Sequence, residues 1–297
     1  MRKGQYERAC RLLPERLQAA ALSVPEDWMG RAEEIRLRVG RSLSLTMPEG
    51  IVPLVHTAVL REDLQSVLER ATECSPYAAE ESLRQGYLTA AGGFRIGVCG
   101  TAVMEGGLCR GMRDVSSLVI RIPSACTGLA DRILPQLITE GRLRSTLILS
   151  PPGGGKTTLL RDLVRLLGDG SAVLPPLRVG LADERGEITA MYRGVAQLNV
   201  GANTDVLAAC AKAEAVEMLL RSMSLQVIAL DEIGGERDIS AVRAAANCGV
   251  AVIATVHAAD TKELRQKPSM KDLAGVFSRA VIIEGSGCDR TYRTEEL

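Results

Sequence analysis

The 297-residue chain is poor in aromatic side chains: one Trp, two Phe and five Tyr make up 3% of it. That scarcity argues against a surface on which single-stranded bases stack. Histidine is scarcer still, at two residues. The eight cysteines (Cys10, Cys74, Cys99, Cys109, Cys126, Cys210, Cys248 and Cys288) contain no Cys-x-x-Cys pair. No zinc-ligand spacing can be assembled from such a set. They read as reduced thiols of a cytosolic protein, several buried as small apolar residues. Net charge is also missing. Lys+Arg and Asp+Glu both number 36, which leaves no global electrostatic footprint for nucleic acid. The opening stretch MRKGQYERACRLLPERLQAA is charged throughout and lacks the apolar core of a signal peptide. No run of roughly 18 uncharged apolar residues occurs, so no transmembrane helix is expected. The expectation is a protein of the cytoplasm, or of the cytoplasmic face of a membrane.

What is present is an ordinary globular balance, 46% hydrophobic and 24% charged. At about 150 residues per domain, the length suits one large domain or two smaller ones. Tyr6, Ala9, Cys10, Leu13, Leu17 and Ala21 keep a helical period interrupted by Pro14. In the run 33–47, Ile35, Leu37 and Val39 alternate with Arg36 and Arg38, as in a half-buried strand. Residues 61–90 read as two helices broken at Ser75-Pro76, 92–107 as a strand bounded by Gly pairs, and Ser116–Ile122 as another. His56 reads as structural. From 143 the pattern changes to uninterrupted apolar runs, Thr146–Leu149, Val179–Ala182, Val227–Leu230 and Val250–Ala254, spaced by helical segments. Such runs mark a parallel sheet covered on both faces. Residues 205–223 read as an alanine-rich helix and 239–250 as a small-residue helix, with Arg221 and Arg243 as candidate inter-subunit contributors. The expected organisation is α/β: a smaller α+β N-terminal domain over 1–123, a linker over 124–142, and a domain built on a parallel sheet over 143–297.

Four segments carry chemistry. SPPGGGKT (150–157) fits the phosphate-loop pattern G-x-x-x-x-G-K-[ST] at every diagnostic position except the first, where Ser150 stands. Gly155 lets backbone amides approach phosphate oxygens closely, and Pro152, Gly153 and Gly154 complete the expected cofactor-binding loop. Lys156 supplies charge to the β and γ phosphates, Thr157 a hydroxyl ligand for Mg²⁺, and the helix through Thr158 an N-terminus aimed at the anion. LQVIALDEIGG (225–235) delivers Asp231 and Glu232 to the end of an apolar strand, the edge where open α/β sheets bind ligands. Asp231 is expected to hold Mg²⁺ through water, and Glu232 to orient or deprotonate the attacking water. VGLADERGEI (179–188) adds Asp183, Glu184, Arg185 and Glu187; Glu184 competes with Glu232 as general base, with Glu232 favoured. VAVIATVHAAD (250–260) ends a strand with Thr255 and His257, the latter a candidate γ-phosphate sensor.

In this order and spacing the segments resemble the Walker A, Asp box, Walker B and His box of the secretion-ATPase superfamily. DERGEI, RSMSLQVIALDEIGG and GVAVIATVHA, with EEIRLRVGRSL and GGFRIGVCGTAV … SSLVIRIP further upstream, resemble the stage III sporulation protein AA family. The likeness spans most of 33–283. It implies a RecA-like core and a Mg²⁺-dependent ATPase in the mother cell of an endospore former, peripheral on the cytoplasmic face of its membrane. Such an enzyme would energise or gate the channel complex between mother cell and forespore. It also implies a hexameric ring, membrane-embedded channel proteins as partners, and N-terminal arginines near the phosphates: Arg113 and Arg121, with Arg95 and Arg110 as further candidates. Leu225-Gln226 departs from the family's Pro-Asp before the Walker B strand. A nucleic-acid-dependent P-loop ATPase and an ATP-gated scaffold with little hydrolysis share the core motifs and stay as alternatives, with nucleic acid disfavoured by charge and composition.

Overall fold

The computed structural model describes residues 2–75, 84, 86–123, 126–266, 273, 275–285 and 290–297. It divides into two compact units, Met1–Ala125 with Ala190–Gln197, and Cys126–Thr189 with Leu198–Leu297.

The first unit begins with three helices, α1 (Arg2–Cys10), α2 (Glu15–Leu22) and α3 (Glu26–Arg31). Pro14 and Pro25 stand immediately before α2 and α3 with extended backbone, where proline's missing N–H interrupts no helical bond. The periodic apolar residues Tyr6, Ala9, Cys10, Leu13, Leu17 and Ala21 are all fully buried. Strands β1 (Glu34–Arg38), β2 (Ser42–Met47), β3 (Gly50–Ala58), β4 (Tyr87–Ala90), β5 (Phe94–Glu105) and β6 (Leu108–Arg121) form an antiparallel sheet in the order β3-β2-β1-β6-β5-β4, and α4 (Arg61–Ala71) follows β3. Ile35, Leu37, Leu45, Ile96, Leu118 and Ile120 carry its apolar face into one core with the helices.

Two expectations for this unit change. The run 33–47 is two strands, because Gly40 turns the chain at φ +75°, and Val39 is left exposed instead of joining Ile35 and Leu37. The strand at 116–122 is the end of β6, which starts at Leu108 and pairs with β5 as a long hairpin. The second helix read within 61–90 lies mostly outside the described residues, as does the His56 side chain.

In the second unit, the short strands β7 (Ile138–Thr139) and β8 (Arg142–Leu143) pair antiparallel, and β9 (Thr146–Ser150), β10 (Val179–Asp183), β11 (Thr204–Ala208), β12 (Val227–Leu230), β13 (Ala251–His257), β14 (Arg279–Glu284) and β15 (Thr291–Glu296) form a sheet in the order β11-β10-β12-β13-β9-β14-β15. All neighbours are parallel except β14 and β15. Leu149, Ala182, Leu230, Val252 and Ile282 share a core with α6 (Lys212–Ser222) and α7 (Glu236–Asn247). Ile148, Leu181, Ala229, Ile253 and Val281 alternate with that set and are equally buried, while α5 (Lys156–Asp169) packs on β9, β10 and β13. Residues 205–223 are not one helix: their first part is the edge strand β11, and α6 starts only at Lys212. The stretch from Cys126 up to β9 belongs to this unit, tied by the buried Asp162, which accepts hydrogen bonds from the backbone N–H of Ala130 and from Arg165 Nε at 2.9 Å each.

Because β9, β10, β12 and β13 run parallel, the loops after Ser150, Asp183, Leu230 and His257 meet at one carboxyl edge of the sheet.

Candidate functional site

Between β9 and α5 the chain turns through Pro151–Gly155. Pro152 and Gly153 are exposed, and Gly154, Gly155, Thr157 and Thr158 are half-buried. Gly155 has φ +101°, a conformation in which a side chain is strained. Lys156 is only 6% exposed. Its ammonium donates to the carbonyls of Ser150 (2.8 Å) and Pro151 (3.1 Å), and lies 2.8 Å from His257 Nδ1. The loop thus holds a desolvated cation at the start of a helix, the electrostatic requirement for gripping an anion.

Asp231, immediately after β12, faces the loop. Its Oδ2 accepts a hydrogen bond from Thr157 Oγ1 at 2.9 Å, and its Oδ1 accepts one from the fully buried Thr255 Oγ1 at 2.5 Å. Glu232 follows with φ +34°, a left-handed backbone that costs a non-glycine residue about 1–3 kcal/mol. Three contacts hold it there. Its N–H donates to Thr255 Oγ1 (2.9 Å) and Asp231 Oδ1 (3.1 Å), and its carbonyl accepts from Lys212 Nζ (2.7 Å). Lys212 also lies 3.6 Å from Glu184 and 3.9 Å from Asp238. Asp183, Glu184, Arg185, Lys212, Asp231 and Glu232 line one small polar cleft.

His257 ends β13 between the two groups. Its Nδ1 meets the Lys156 ammonium and its Nε2 lies 3.3 Å from a Glu232 carboxylate oxygen. An ammonium can only donate, so Nδ1 is the acceptor; the carboxylate partner then assigns the ring proton to Nε2. The result is a chain of contacts from Lys156 through His257 to Glu232.

Thr157 Oγ1 and Asp231 Oδ2 are hard oxygen donors adjacent to each other. No cluster of three or more His, Cys, Asp or Glu able to hold a metal occurs among the described residues. One hydroxyl and one carboxylate suit Mg²⁺, which keeps several waters and shares its remaining positions with phosphate oxygens.

The family described as "Sporulation stage III, protein AA" matches residues 4–293. The chain belongs to this family. It is 40% identical over 262 residues to stage III sporulation protein AA of Bacillus subtilis (strain 168), covering 88% of this chain and 85% of the relative. Among solved structures, it resembles the Legionella pneumophila ATPase DotB (TM-score 0.59, 18% identity, 90% of this chain and 76% of that one). It also resembles the pilus retraction motor PilT with bound ADP (TM-score 0.59, 17% identity, 90% and 79%). The fold is therefore that of the secretion ATPases, a RecA-like α/β core preceded by an α+β part. No helix among the described residues is long and apolar enough to cross a membrane.

Asp183 and Glu184, consecutive in the sequence, are held differently. Asp183 is 2% exposed and accepts hydrogen bonds from the backbone N–H groups of Glu187 (3.0 Å), Ile188 (3.3 Å) and Thr189 (2.9 Å) and from Thr189 Oγ1 (2.6 Å). Both of its carboxylate oxygens brace its own loop, and it lines the cleft together with Glu184. Arg161 on α5 fastens the same loop, donating to the carbonyls of Ile188 and Glu187 at 2.5 and 2.9 Å. Burial pushes its guanidinium below the ordinary value, against the opposing pull of Asp183 and Asp231.

The arginine candidates belong to the first unit. Arg121 at the end of β6 pairs with Glu34 at 3.6 Å, Arg113 stands opposite Thr101 in the hairpin, Arg110 pairs with Glu105, and Arg95 lies over the Tyr87 ring. Arg221 pairs with Glu217. Two residues at the site escaped the sequence reading: Lys212, within a segment read as continuous alanine-rich helix, and Arg290, in a stretch without a motif.

Proposed function

We propose that the chain is a Mg²⁺-dependent ATPase that energises or gates a secretion-like channel complex between mother cell and forespore during endospore formation. The observation that carries this reading is the single constellation of Lys156, Thr157, Asp231, Glu232 and His257 on one sheet edge. Family membership supplies the sporulation context.

In this reading Gly153–Gly155 and Thr158 wrap the phosphates with backbone amides, and Lys156 binds the β and γ phosphates. Thr157 and Asp231 hold Mg²⁺, which when bound neutralises phosphate charge. Glu232 accepts a proton from the attacking water as the water oxygen bonds to the γ-phosphorus and the bond to the β–γ bridging oxygen breaks. Glu184, clamped with Glu232 by Lys212, is the second glutamate for that role. His257 couples the two ends: a phosphate that draws Lys156 away from the ring removes the Nδ1 donor and alters the carboxylate that faces Nε2. Such an arrangement senses the γ-phosphate. Arg113 and Arg121 stay in the proposal through the resemblance, as does the hexameric ring bound peripherally to membrane-embedded channel proteins.

The test is ATP hydrolysis per subunit as protein concentration rises, with Lys156→Ala as control. A rate that climbs with concentration and vanishes in the control supports a ring ATPase. ATP binding with turnover at the control level at every concentration counts against an autonomous motor.

A further inference from the structure

Arg290 reaches the phosphate loop from the far end of the chain. Its Nη2 donates to the Gly153 carbonyl at 3.3 Å. Its Cζ, Nε and Nη1 lie 3.1, 3.2 and 3.3 Å from where a Cβ on Gly155 would stand. The guanidinium therefore occupies the space a side chain on Gly155, the last glycine before Lys156, would need. Its Nε is buried, with no hydrogen-bond partner among the described residues.

The strands make this placement firm. β14 pairs with β9 in parallel, Ile282 opposite Leu149, and β15 returns antiparallel with Thr291 opposite Glu284. Arg290, one residue before Thr291, is thus held at the same carboxyl edge as the loop that leaves β9. A guanidinium stays cationic at any working pH. A buried charged donor left unpaired is costly, and here it lies against Gly155, the residue before the cation Lys156, in a loop rich in backbone N–H donors. An anion seated at the loop satisfies all three at once.

We propose that Arg290 is a phosphate-binding residue of the nucleotide site, its Nε–H donating to a phosphate oxygen of a nucleoside di- or triphosphate cradled by Gly153–Gly155. The proposal rests on the ATP-site reading above. It makes the C-terminal hairpin part of the site, and it gives Gly155 a second reason to be glycine besides its φ: a side chain there would displace the guanidinium.

The experiment is equilibrium binding of ADP and of inorganic pyrophosphate to the full chain, in wild type, Arg290→Met, Arg290→Lys and Lys156→Ala. Thermal unfolding without ligand shows that each variant is folded. A charge-assisted hydrogen bond lost from a desolvated site should weaken both ligands about ten- to a hundredfold in Arg290→Met. Arg290→Lys, which keeps the charge and loses the Nε–H, should fall between that variant and wild type, and carries the test if Arg290→Met does not fold. Wild-type affinity in the Arg290 variants, with binding lost in Lys156→Ala, overturns the proposal and leaves the ATP site standing. A loss confined to ADP and sparing pyrophosphate overturns it too, by placing Arg290 at the nucleoside. No binding by wild type overturns both readings together.

Discussion

Ser150 and Gly154 exclude each other's side chains across the turn of the phosphate loop. A Cβ on Gly154 would lie 2.1 Å from Ser150 Oγ and 2.7 Å from Ser150 Cβ. The serine that stands where the usual pattern begins with glycine is therefore accommodated by a residue four positions later that has no side chain. Gly154→Ala is expected to distort the loop and weaken ADP binding by about tenfold or more. Ser150→Gly alone should leave affinity nearly unchanged. The double substitution should recover most of the loss, because the remaining neighbour, the Pro151 carbonyl at 3.2 Å, is only tight. A double variant as weak as Gly154→Ala would show that the two positions are not coupled.

Asp183 should matter for stability before chemistry. Both carboxylate oxygens are occupied by the 187–189 turn. Asp183→Asn turns an amide NH₂ toward N–H donors, so it is expected to cost about 2–3 kcal/mol in denaturant unfolding. Unchanged stability with lost turnover would move this residue into the chemistry.

Lys212 is a positioning residue. It reaches Glu232 through the backbone carbonyl and draws Glu184 and Asp238 to the same ammonium. Lys212→Met releases the left-handed backbone of Glu232. The expected outcome is a fall in kcat of about tenfold or more with nucleotide affinity within about threefold of wild type, and partial recovery in Lys212→Arg. Equal losses in kcat and affinity would contradict a role confined to Glu232.

The first unit should weaken in alkali. Burial pushes the Cys10 thiol up to about 12, only partly opposed by the neighbouring Tyr6 hydroxyl, with Glu7 raising it slightly. Burial raises the Tyr6 phenol as well, and its hydroxyl donates to the Ala21 carbonyl at 2.8 Å. Both groups are neutral when folded and ionise more easily unfolded. Their contribution is thus complete below the ordinary thiol value and is lost as pH rises from about 9 toward 12. Thermal midpoints between about pH 9 and pH 11 should fall more steeply in wild type than in Cys10→Ala. Native Cys10 should also be slower to alkylate than the exposed Cys74, Cys99 and Cys248.

Much of the site was legible because each motif is local. The residues from Ser150 to Thr158 form one strand–loop–helix, and Asp231-Glu232 and Thr255–His257 each follow directly on an apolar strand, so sequence neighbours are also site neighbours. Lys212 and Arg290 were not legible. One is the first residue of a helix whose alanine-rich composition extends back over β11, and the other is brought to the loop by the pairing of β14 with β9. The alternation that revealed Ile35 and Leu37 could not show that Gly40 ends the strand before Val39. Asp183 illustrates a further limit: a carboxylate after a strand has the same sequence signature whether it serves a substrate or its own loop.

The most direct measurement is phosphate release from Mg²⁺-ATP by wild type, Glu232→Gln and Glu184→Gln, with ATP affinity measured on the same samples. The expected result is turnover in wild type, a loss of about a hundredfold or more in Glu232→Gln with affinity within about threefold, and a smaller loss in Glu184→Gln. Glu232→Gln hydrolysing at the wild-type rate, or wild type binding ATP without releasing phosphate, would contradict the assignment of this sheet edge as an ATPase centre.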